Sequence, residues 1–263
     1  QAALVAERKR SVNFRNPGCG LFIFCLLGAG AAQAGPADYV YTPTVEHGER
    51  ELDFKLGSAR DGADNRFQES SLGFGYGAGE RWFTEFYVKY QNGGGEDQHL
   101  DAIEFENKFQ LTETGKYPVD VGFITEVERP HRKGEPAFEL RLGPLFQTEF
   151  GKLQLNGNLL FERQFRGRSE EPDVRHVTEI GYQWQVKYRW QRGFEYGMQG
   201  FGEMGRWNHW DARDEQNHRF GPAVFGKLAV GNHQFITYNA AFLFAASPAA
   251  PDHTFRMQVE YEF

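Results

Sequence analysis

The last eleven residues, His253 to Phe263, read HTFRMQVEYEF. From Phe255 onward every second residue is large and apolar, and the residues between them are polar or charged. This period of two predicts a β-strand with one apolar face and one polar face. Such a strand ending on an aromatic residue favours a transmembrane β-barrel, in which the apolar face contacts lipid.

The first 34 residues have the features of a secretory signal peptide. Four basic residues precede the apolar run 20–32, which is too short to span a bilayer as a helix. The run ends in Ala32-Gln33-Ala34, an A-x-A cleavage site. We therefore expect residues 1–34 to be removed during Sec-type export, leaving Gly35 as the first residue. A buried helix is the alternative, which the basic flank and the small-residue site disfavour.

The composition of the remaining 263 − 34 = 229 residues excludes several classes of protein. Both cysteines, Cys19 and Cys25, lie in the predicted signal peptide, so no disulfide or cysteine nucleophile is expected. Without the four basic residues and Glu7 of that peptide, 25 basic and 35 acidic residues give a formal charge of 25 − 35 = −10. This acidic balance disfavours a nucleic-acid partner. The 229 residues also contain no apolar run of 18 or more, so no transmembrane helix is predicted.

Alternating residues predict twelve strands after residue 48. The eighth strand is the clearest, because Ile180, Tyr182, Trp184, Val186, Tyr188 and Trp190 alternate with mostly polar residues. Residues 35–48 contain Pro36 and Pro43 and are predicted to be an extended periplasmic segment, with a fold back into the barrel as a plug left open. The twelve strands are predicted at 49–60, 66–78, 81–92, 99–112, 117–129, 136–150, 152–166, 174–190, 194–207, 217–230, 233–246 and 253–263.

The connections between these strands alternate between longer polar loops and short turns, which is typical of outer-membrane barrels. The predicted loops are Asp61–Asn65, Gly93–Gln98, Pro130–Glu135, Gly167–Asp173, Asn208–Gln216 and Ser247–Asp252. The predicted turns are Gly79-Glu80, Glu113–Lys116, Gly151, Gln191–Gly193 and Gly231-Asn232. A water-soluble barrel has no reason to sort its connections in this way.

With the cleavage site at Ala34, the alternating strands and the terminal Phe263, the chain resembles the bacterial (Gram-negative) outer-membrane β-barrel class, including porins. The resemblance implies an all-β, antiparallel up-and-down barrel covering 49–263, with short periplasmic turns and longer extracellular loops. It also implies that the barrel-assembly machinery recognises the carboxyl-terminal strand ending at Phe263. The expected surroundings are outer-membrane lipid.

If the apolar face contacts lipid, the polar face lines a lumen in which acidic residues outnumber basic ones. Twelve strands lie between eight, which side chains fill, and sixteen, which leave a wide channel. This favours a narrow channel for small polar or cationic solutes; charges that pair across strands and brace the wall are the alternative. The candidate lumen residues are Glu85, Lys89, Glu104, Glu106, Lys108, Asp120, Glu126, Glu139, Arg141, Glu179, Lys187, Arg189, Glu203, Lys227, Arg256 and Glu260.

Two other functions stay open from the sequence. A lipid-modifying hydrolase needs a nucleophile beside a histidine, and Ser169 with His176 is the pair that one outer loop offers, without a G-x-S-x-G motif. A closed structural or adhesive barrel is the other. We expect no enzymatic activity, no cofactor and no metal site; the weak candidates for a metal are His209, Asp211, Asp214 and His218, whose spacing matches no standard site. The solute and the oligomeric state are left undetermined.

Overall fold

The computed structural model describes residues 35–62, 65–93, 98–131, 137–165 and 177–263, so the predicted signal peptide lies outside it. Within these ranges no helix is long and apolar enough to cross a membrane. The strands are β1 Arg50–Arg60, β2 Arg66–Gly79, β3 Trp82–Gly93, β4 His99–Gln110, β5 Asp120–Pro130, β6 Phe138–Phe150, β7 Leu153–Phe165, β8 Thr178–Gln191, β9 Phe194–Arg206, β10 His209–Trp210, β11 Asn217–Gly231, β12 Gln234–Ala245 and β13 His253–Glu262.

Twelve of these strands form a closed antiparallel barrel, which confirms the predicted fold and strand number. Successive barrel strands pair with each other, and β13 pairs with β1 to close the sheet. The thirteenth strand, β10, is a two-residue extension that pairs with β9 alone. At the seam Asp53 lies opposite Glu260, and the N–H of Phe263 donates to the Arg50 carbonyl at 2.8 Å. Closure leaves no unpaired edge, as a structure surrounded by lipid requires.

The wall of the barrel carries its apolar residues outside and its charged residues inside. On β1, Leu52 and Phe54 are 44% and 41% exposed, whereas Asp53 and Lys55 are 1% and 4% exposed. A water-soluble protein would bury the first pair and expose the second, because apolar burial is its main driving force. The reversed order is the one expected of strands whose outer surface meets hydrocarbon.

The connections are sorted between the two ends of the barrel. At one end, called the turn end, four connections are two residues long; at the other, the loop end, connections have five to twelve residues. The fifth connection at the turn end covers 111–119 and is longer than the predicted turn at 113–116. Gly115 adopts a φ of 71°, and its N–H donates to the Asp120 carboxylate at 2.8 Å. These side-chain and turn bonds replace the strand pairing that the sequence pattern had predicted there.

Residues 35–48, called the N-terminal segment, run inside the barrel rather than beside it. The Tyr41 N–H donates to Gln183 Oε1 at 3.4 Å, and the Tyr41 carbonyl accepts from Asn158 Nδ2 at 3.0 Å. At the turn end, Val45 donates its N–H to Gln110 Oε1 at 2.9 Å. The segment therefore folds back into the lumen and is not the periplasmic extension that was predicted first. Wall amides provide the hydrogen bonds that its extended backbone lacks.

Two glycines of the wall leave the room in which the N-terminal segment passes. A Cβ on Gly57 would lie 2.1 Å from the carbonyl carbon of Pro36, and one on Gly122 would lie 2.9 Å from the Cα of Pro43. Both neighbours belong to the backbone or ring of the segment and cannot rotate away. A glycine in a strand interior commonly marks such a close backbone approach.

Candidate channel lumen

The structure places all sixteen predicted lumen residues on the inner side of the wall. Six line one large cavity at the turn end: Glu85, Lys108, Lys187, Arg189, Lys227 and Glu260. Five line small spaces around the N-terminal segment: Lys89, Glu104, Arg141, Glu179 and Glu203. The other five, which contact the segment, the wall or the turn at 111–119, are Glu106, Asp120, Glu126, Glu139 and Arg256.

Ion pairs across strands brace the part of the wall formed by β3–β7. Lys89 on β3 pairs with glutamates on β4 and β5, and Arg141 on β6 pairs with glutamates on β5 and β7, as cross-strand charge pairs do. The distances are 3.1 Å for Lys89–Glu104, 2.5 Å for Lys89–Glu128, 3.2 Å for Arg141–Glu126 and 2.9 Å for Arg141–Glu162. In β3–β7, therefore, the inward charges pair across strands and brace the wall.

Two tyrosines fasten the N-terminal segment to the acidic wall. The Tyr39 hydroxyl donates to Glu106 Oε2 and the Tyr41 hydroxyl to Glu126 Oε2, both at 2.8 Å. The Lys55 ammonium lies 3.6 Å from the centroid of the Tyr39 ring, a cation–π contact.

Apolar contacts complete a layer across the middle of the lumen. Val40 packs with one group of inward side chains and Tyr41 with another, so the segment joins opposite sides of the barrel. The first group contains Phe201, Ala223, Phe225, Ala241 and Leu243, and the second contains Ile124, Leu145 and Leu160. Burial of apolar area here stabilises the segment inside the lumen.

Amide side chains form a hydrogen-bonded ladder along the wall below this layer. Gln147 accepts from Asn156 at 2.9 Å, Asn156 accepts from Gln185 at 3.1 Å, and Gln185 accepts from Gln199 at 3.0 Å. Arg256 then donates to Gln199 Oε1 at 2.6 Å. The ladder gives the lumen an uncharged polar surface on β6–β9, where the amide side chains hydrogen-bond to one another.

The turn-end half of the lumen contains a cavity of about 920 Å³ that opens beneath the N-terminal segment. Its lining includes eight glutamates and five lysines or arginines, which gives a formal charge of 5 − 8 = −3. Two basic residues on the β8–β9 side form ion pairs with glutamates, Arg189–Glu149 at 2.6 Å and Lys187–Glu195 at 3.3 Å. The excess of carboxylates therefore lies toward the β13–β1 seam.

The seam side of this cavity holds closely spaced carboxylates. Glu51 and Glu85 are 8% and 4% exposed, and Glu260 belongs to the neighbouring strand of the seam. The Glu85 carboxylate accepts from the Tyr87 hydroxyl at 2.6 Å, and Lys108 is the basic residue that lines the same part of the cavity. This side of the cavity therefore holds three carboxyl groups beside Lys108.

Glu49, the residue before β1, predicts a dependence of stability on pH. Burial raises the pKa of its carboxyl to about 7, and the charges of Glu262 and Glu46 add to this shift. Because the folded-state pKa exceeds the unfolded one, the folded protein binds the additional proton, and this stability is lost as pH rises through about 4.5 to 7. We expect Glu49→Gln to reduce the loss of stability over this range, measured as the temperature at which compact gel migration disappears.

A matched variant controls this pH experiment. Glu113 is an exposed glutamate in the turn at 111–119, with 57% of its side chain accessible. Glu113→Gln should therefore leave the pH dependence as in the unmodified protein. If Glu49→Gln and Glu113→Gln gave the same curve, the buried carboxyl of Glu49 would not be the origin of the effect.

Three glutamates deserve comparison with a metal site because their carboxylate oxygens lie within 4.8 Å of one another. They are Glu104, Glu106 and Glu126, the one such group among the described His, Cys, Asp and Glu residues. Lys89, Tyr39, Tyr41 and Arg141 already donate hydrogen bonds to these carboxylates. The chain's own donors thus occupy oxygens of all three carboxylates.

The weak metal candidates of the loop end are not brought together into a ligand group. They are His209, Asp211, Asp214 and His218. His218 uses one ring nitrogen with the Tyr182 hydroxyl at 2.9 Å and the other with Gln216 Oε1 at 2.8 Å. Its ring therefore belongs to a local hydrogen-bond network, in which both nitrogens have protein partners.

Sequence reasoning missed the residues that fill the lumen. Tyr39 and Tyr41 alternate in a segment that precedes the first strand, and this spacing was a signal for an extended segment with one aromatic face. The amides Gln154, Asn156 and Asn158 alternate on β7 in the same way. The predicted lumen consisted of charged residues alone, so it contained neither the tyrosines nor the amides.

Comparisons with solved structures give the fold a context. An outer-membrane channel from Pseudomonas putida F1 is similar with a TM-score of 0.56 and 13% identity, over 88% of this chain and 99% of that one. The NanC porin has a TM-score of 0.53 and 10% identity, over 81% of this chain and 98% of that one. The translocator domain of the autotransporter NalP from Neisseria meningitidis has a TM-score of 0.50 and 11% identity, over 83% and 89%. No protein-family model and no curated protein sequence matches.

This chain has the fold of the bacterial outer-membrane β-barrels. The likeness covers nearly the whole of the described barrel, and it confirms the resemblance that the alternating strands and the terminal aromatic strand had indicated. At 10–13% identity it establishes architecture alone.

Proposed function

We propose that this protein is an outer-membrane channel for small polar solutes, with a preference for cations. The observation that carries the proposal is the cavity of about 920 Å³ at the turn end, whose lining has an excess of carboxylates. Small-molecule sites usually occupy cavities of about this size. In this proposal the chain reaches the outer membrane by Sec-type export, and the assembly machinery recognises the strand that ends at Phe263.

The charge of the seam supports a preference for cations. Glu51, Glu85 and Glu260 line one side of the cavity together with Lys108. The other lysine on this side, Lys227, is paired with Glu262 at 2.5 Å. Carboxylates arranged around a pore attract cations and repel anions, and a low-dielectric wall strengthens the effect. The amide ladder on the opposite wall offers hydrogen bonds without selecting for charge.

A closed barrel is the second candidate, and the N-terminal segment favours it. The segment crosses the lumen with Tyr39 and Tyr41 bonded to the wall and Val40 packed among apolar side chains. A channel in this state would have a small conductance. The two candidates therefore differ in whether solutes pass beside the segment or only after it moves.

Reversal potentials in planar bilayers test the proposed selectivity. The refolded barrel in a gradient of potassium chloride is expected to favour potassium over chloride. Replacing Glu51 and Glu260 together by glutamine removes two carboxylates from the cavity wall and should reduce that preference by roughly half or more, as expected for acids that set the local potential. The measurement is the shift in reversal potential between the double variant and the unmodified barrel.

A control separates the local effect from the total charge of the protein. Glu113→Gln removes an exposed carboxylate outside the cavity and should leave the reversal potential unchanged. Selectivity for chloride in the unmodified barrel would contradict a cation channel. Absence of conductance both in the full chain and in a chain lacking residues 36–45 would favour the closed structural barrel.

The lipid-hydrolase alternative depends on Ser169 and His176, which lie outside the described residues. We propose that the protein has no such activity. Replacement of both residues by alanine should leave the lipid composition of the outer membrane unchanged when the variant replaces the native protein. A change that matched loss of the whole protein would instead support a catalytic pair.

A further inference from the structure

Gly35, the first residue after the predicted cleavage site, lies inside the lumen beside a carboxylate. Its carbonyl accepts from Arg219 Nη2 at 2.9 Å. A Cβ on Gly35 would lie 2.0 Å from Glu69 Oε2. Because a backbone nitrogen lies about 2.5 Å from the Cβ of its own residue, the Gly35 nitrogen is within about 4.5 Å of that oxygen. The two atoms are thus near the range of an ion pair.

The Glu69 carboxylate has a partner for hydrogen bonding but, among the described side chains, no ion-pair partner. It accepts from the Ala37 N–H at 3.4 Å. Lys89 lines the same small space, but Glu104 at 3.1 Å and Glu128 at 2.5 Å already engage its ammonium. A carboxylate taken out of water without a counter-ion is costly, and Asp38 in the same space adds a further negative charge.

We propose that Glu69 binds the α-ammonium of Gly35 that cleavage after Ala34 creates. In the precursor the same nitrogen is an uncharged peptide amide, so the ion pair exists only in the processed chain. The ammonium would provide the positive charge that Glu69 lacks, while the Gly35 carbonyl stays bonded to Arg219. Processing would then complete the docking site of the N-terminal segment.

The same geometry favours glycine at position 35. A Cβ on residue 35 would meet the Glu69 carboxylate, whose two oxygens lie 2.0 and 2.7 Å from its position, so the glutamate side chain would have to shift away from the ammonium.

Amine labelling tests the ion pair without any substitution. The protein is extracted from outer membranes in detergent and treated near pH 8 with an amine-reactive reagent, and the Gly35 peptide is quantified by mass spectrometry. Labelling of the native protein is expected to be at least about fivefold slower than that of the denatured chain. For an amine that ordinarily titrates near pH 8, raising the pKa by one unit lowers the free-amine fraction at pH 8 from about a half to about a tenth. Glu69→Gln should remove most of this protection, whereas Glu149→Gln, in the turn-end cavity, should not.

A second measurement remains decisive if Glu69→Gln fails to fold. The mature chain is refolded with a free or an acetylated α-amino group, and chymotrypsin cleavage at Tyr39 and Tyr41 is followed. Acetylation converts the ammonium into an uncharged amide, as in the precursor, and is expected to accelerate cleavage about tenfold or more. Equal labelling of native and denatured protein, equal cleavage of the two refolded chains, or a mature sequence that does not begin at Gly35 would each overturn the proposal. Neither readout depends on conductance, so the channel proposal can fail independently.

Discussion

Deletion of residues 36–45 is expected to raise the single-channel conductance at least about threefold, because a twelve-stranded barrel is wider than its own side chains fill. These residues supply the apolar layer around Val40 and the hydrogen bonds of Tyr39 and Tyr41. Gly35 is kept, so that the predicted cleavage site remains intact. The measurement is the conductance of single insertions in planar bilayers at fixed salt.

A point substitution should reproduce the effect without shortening the chain. A leucine at Gly57 would meet the backbone of Pro36 and Ala37 at 2.1–2.3 Å, which excludes the N-terminal segment from its present path. Ser58→Leu places the same side chain one residue further on, on the opposite face of β1, and should leave the conductance unchanged. The pair distinguishes displacement of the segment from a general disturbance of the strand.

The conductances of the deletion and of Gly57→Leu also test whether the N-terminal segment restricts the lumen. If the deletion and Gly57→Leu both conduct as the full chain does, the segment is not the restriction and solutes pass elsewhere in the lumen. Correct folding is established by compact migration of the unheated barrel on gels. That readout depends on the wall, in which β1 and β13 remain paired.

Replacement of Met257 by arginine should destabilise the barrel in the membrane. Met257 lies in the middle of β13 on the face shared with Phe255 and Phe263, which are 40% and 43% exposed at the outer surface. An arginine in the middle of a lipid-facing strand costs about 2–4 kcal/mol. We expect a lower midpoint in denaturant titrations with lipid vesicles, and a reduced amount of protein in the outer membrane.

The neighbouring residue provides the matched control. Gln258 is 2% exposed, faces the lumen and donates to Asp53 at 2.9 Å and to Glu260 at 2.8 Å. Gln258→Arg introduces the same side chain beside two carboxylates and should cost less than Met257→Arg. Equal destabilisation by the two substitutions would mean that the strand does not separate lipid from lumen.

Much of the wall could be predicted from local sequence because the pattern that determines it is local. Successive side chains of a strand point to opposite sides, so Phe255, Met257 and Val259 had to share a face whatever lay around them. The strand number and the lipid-facing direction followed from the same alternation. The turn at 111–119 was predicted too short, at 113–116, because the bond from Gly115 to the Asp120 carboxylate competes with strand pairing there.

The contents of the lumen could not be predicted in the same way. The bond from Tyr41 to Glu126 joins residues 85 positions apart, and the bond from Arg219 to Gly35 joins residues 184 positions apart. No periodicity of the sequence encodes such pairs, which exist only after the barrel has closed and has brought distant strands around one space. The excess of acids was visible in the sequence. Which acids pair with bases across strands and which line the turn-end cavity was not.

By itself, then, the sequence determined the strands, their faces and the closure by the terminal strand, because a residue's position in an alternating run decides its side of the sheet. Only the tertiary structure decided where the N-terminal segment lies and which carboxylates pair with a lysine or an arginine. Both depend on distances across the closed lumen, where Gly57 and Gly122 admit a second backbone and Lys89 and Arg141 reach two partners each.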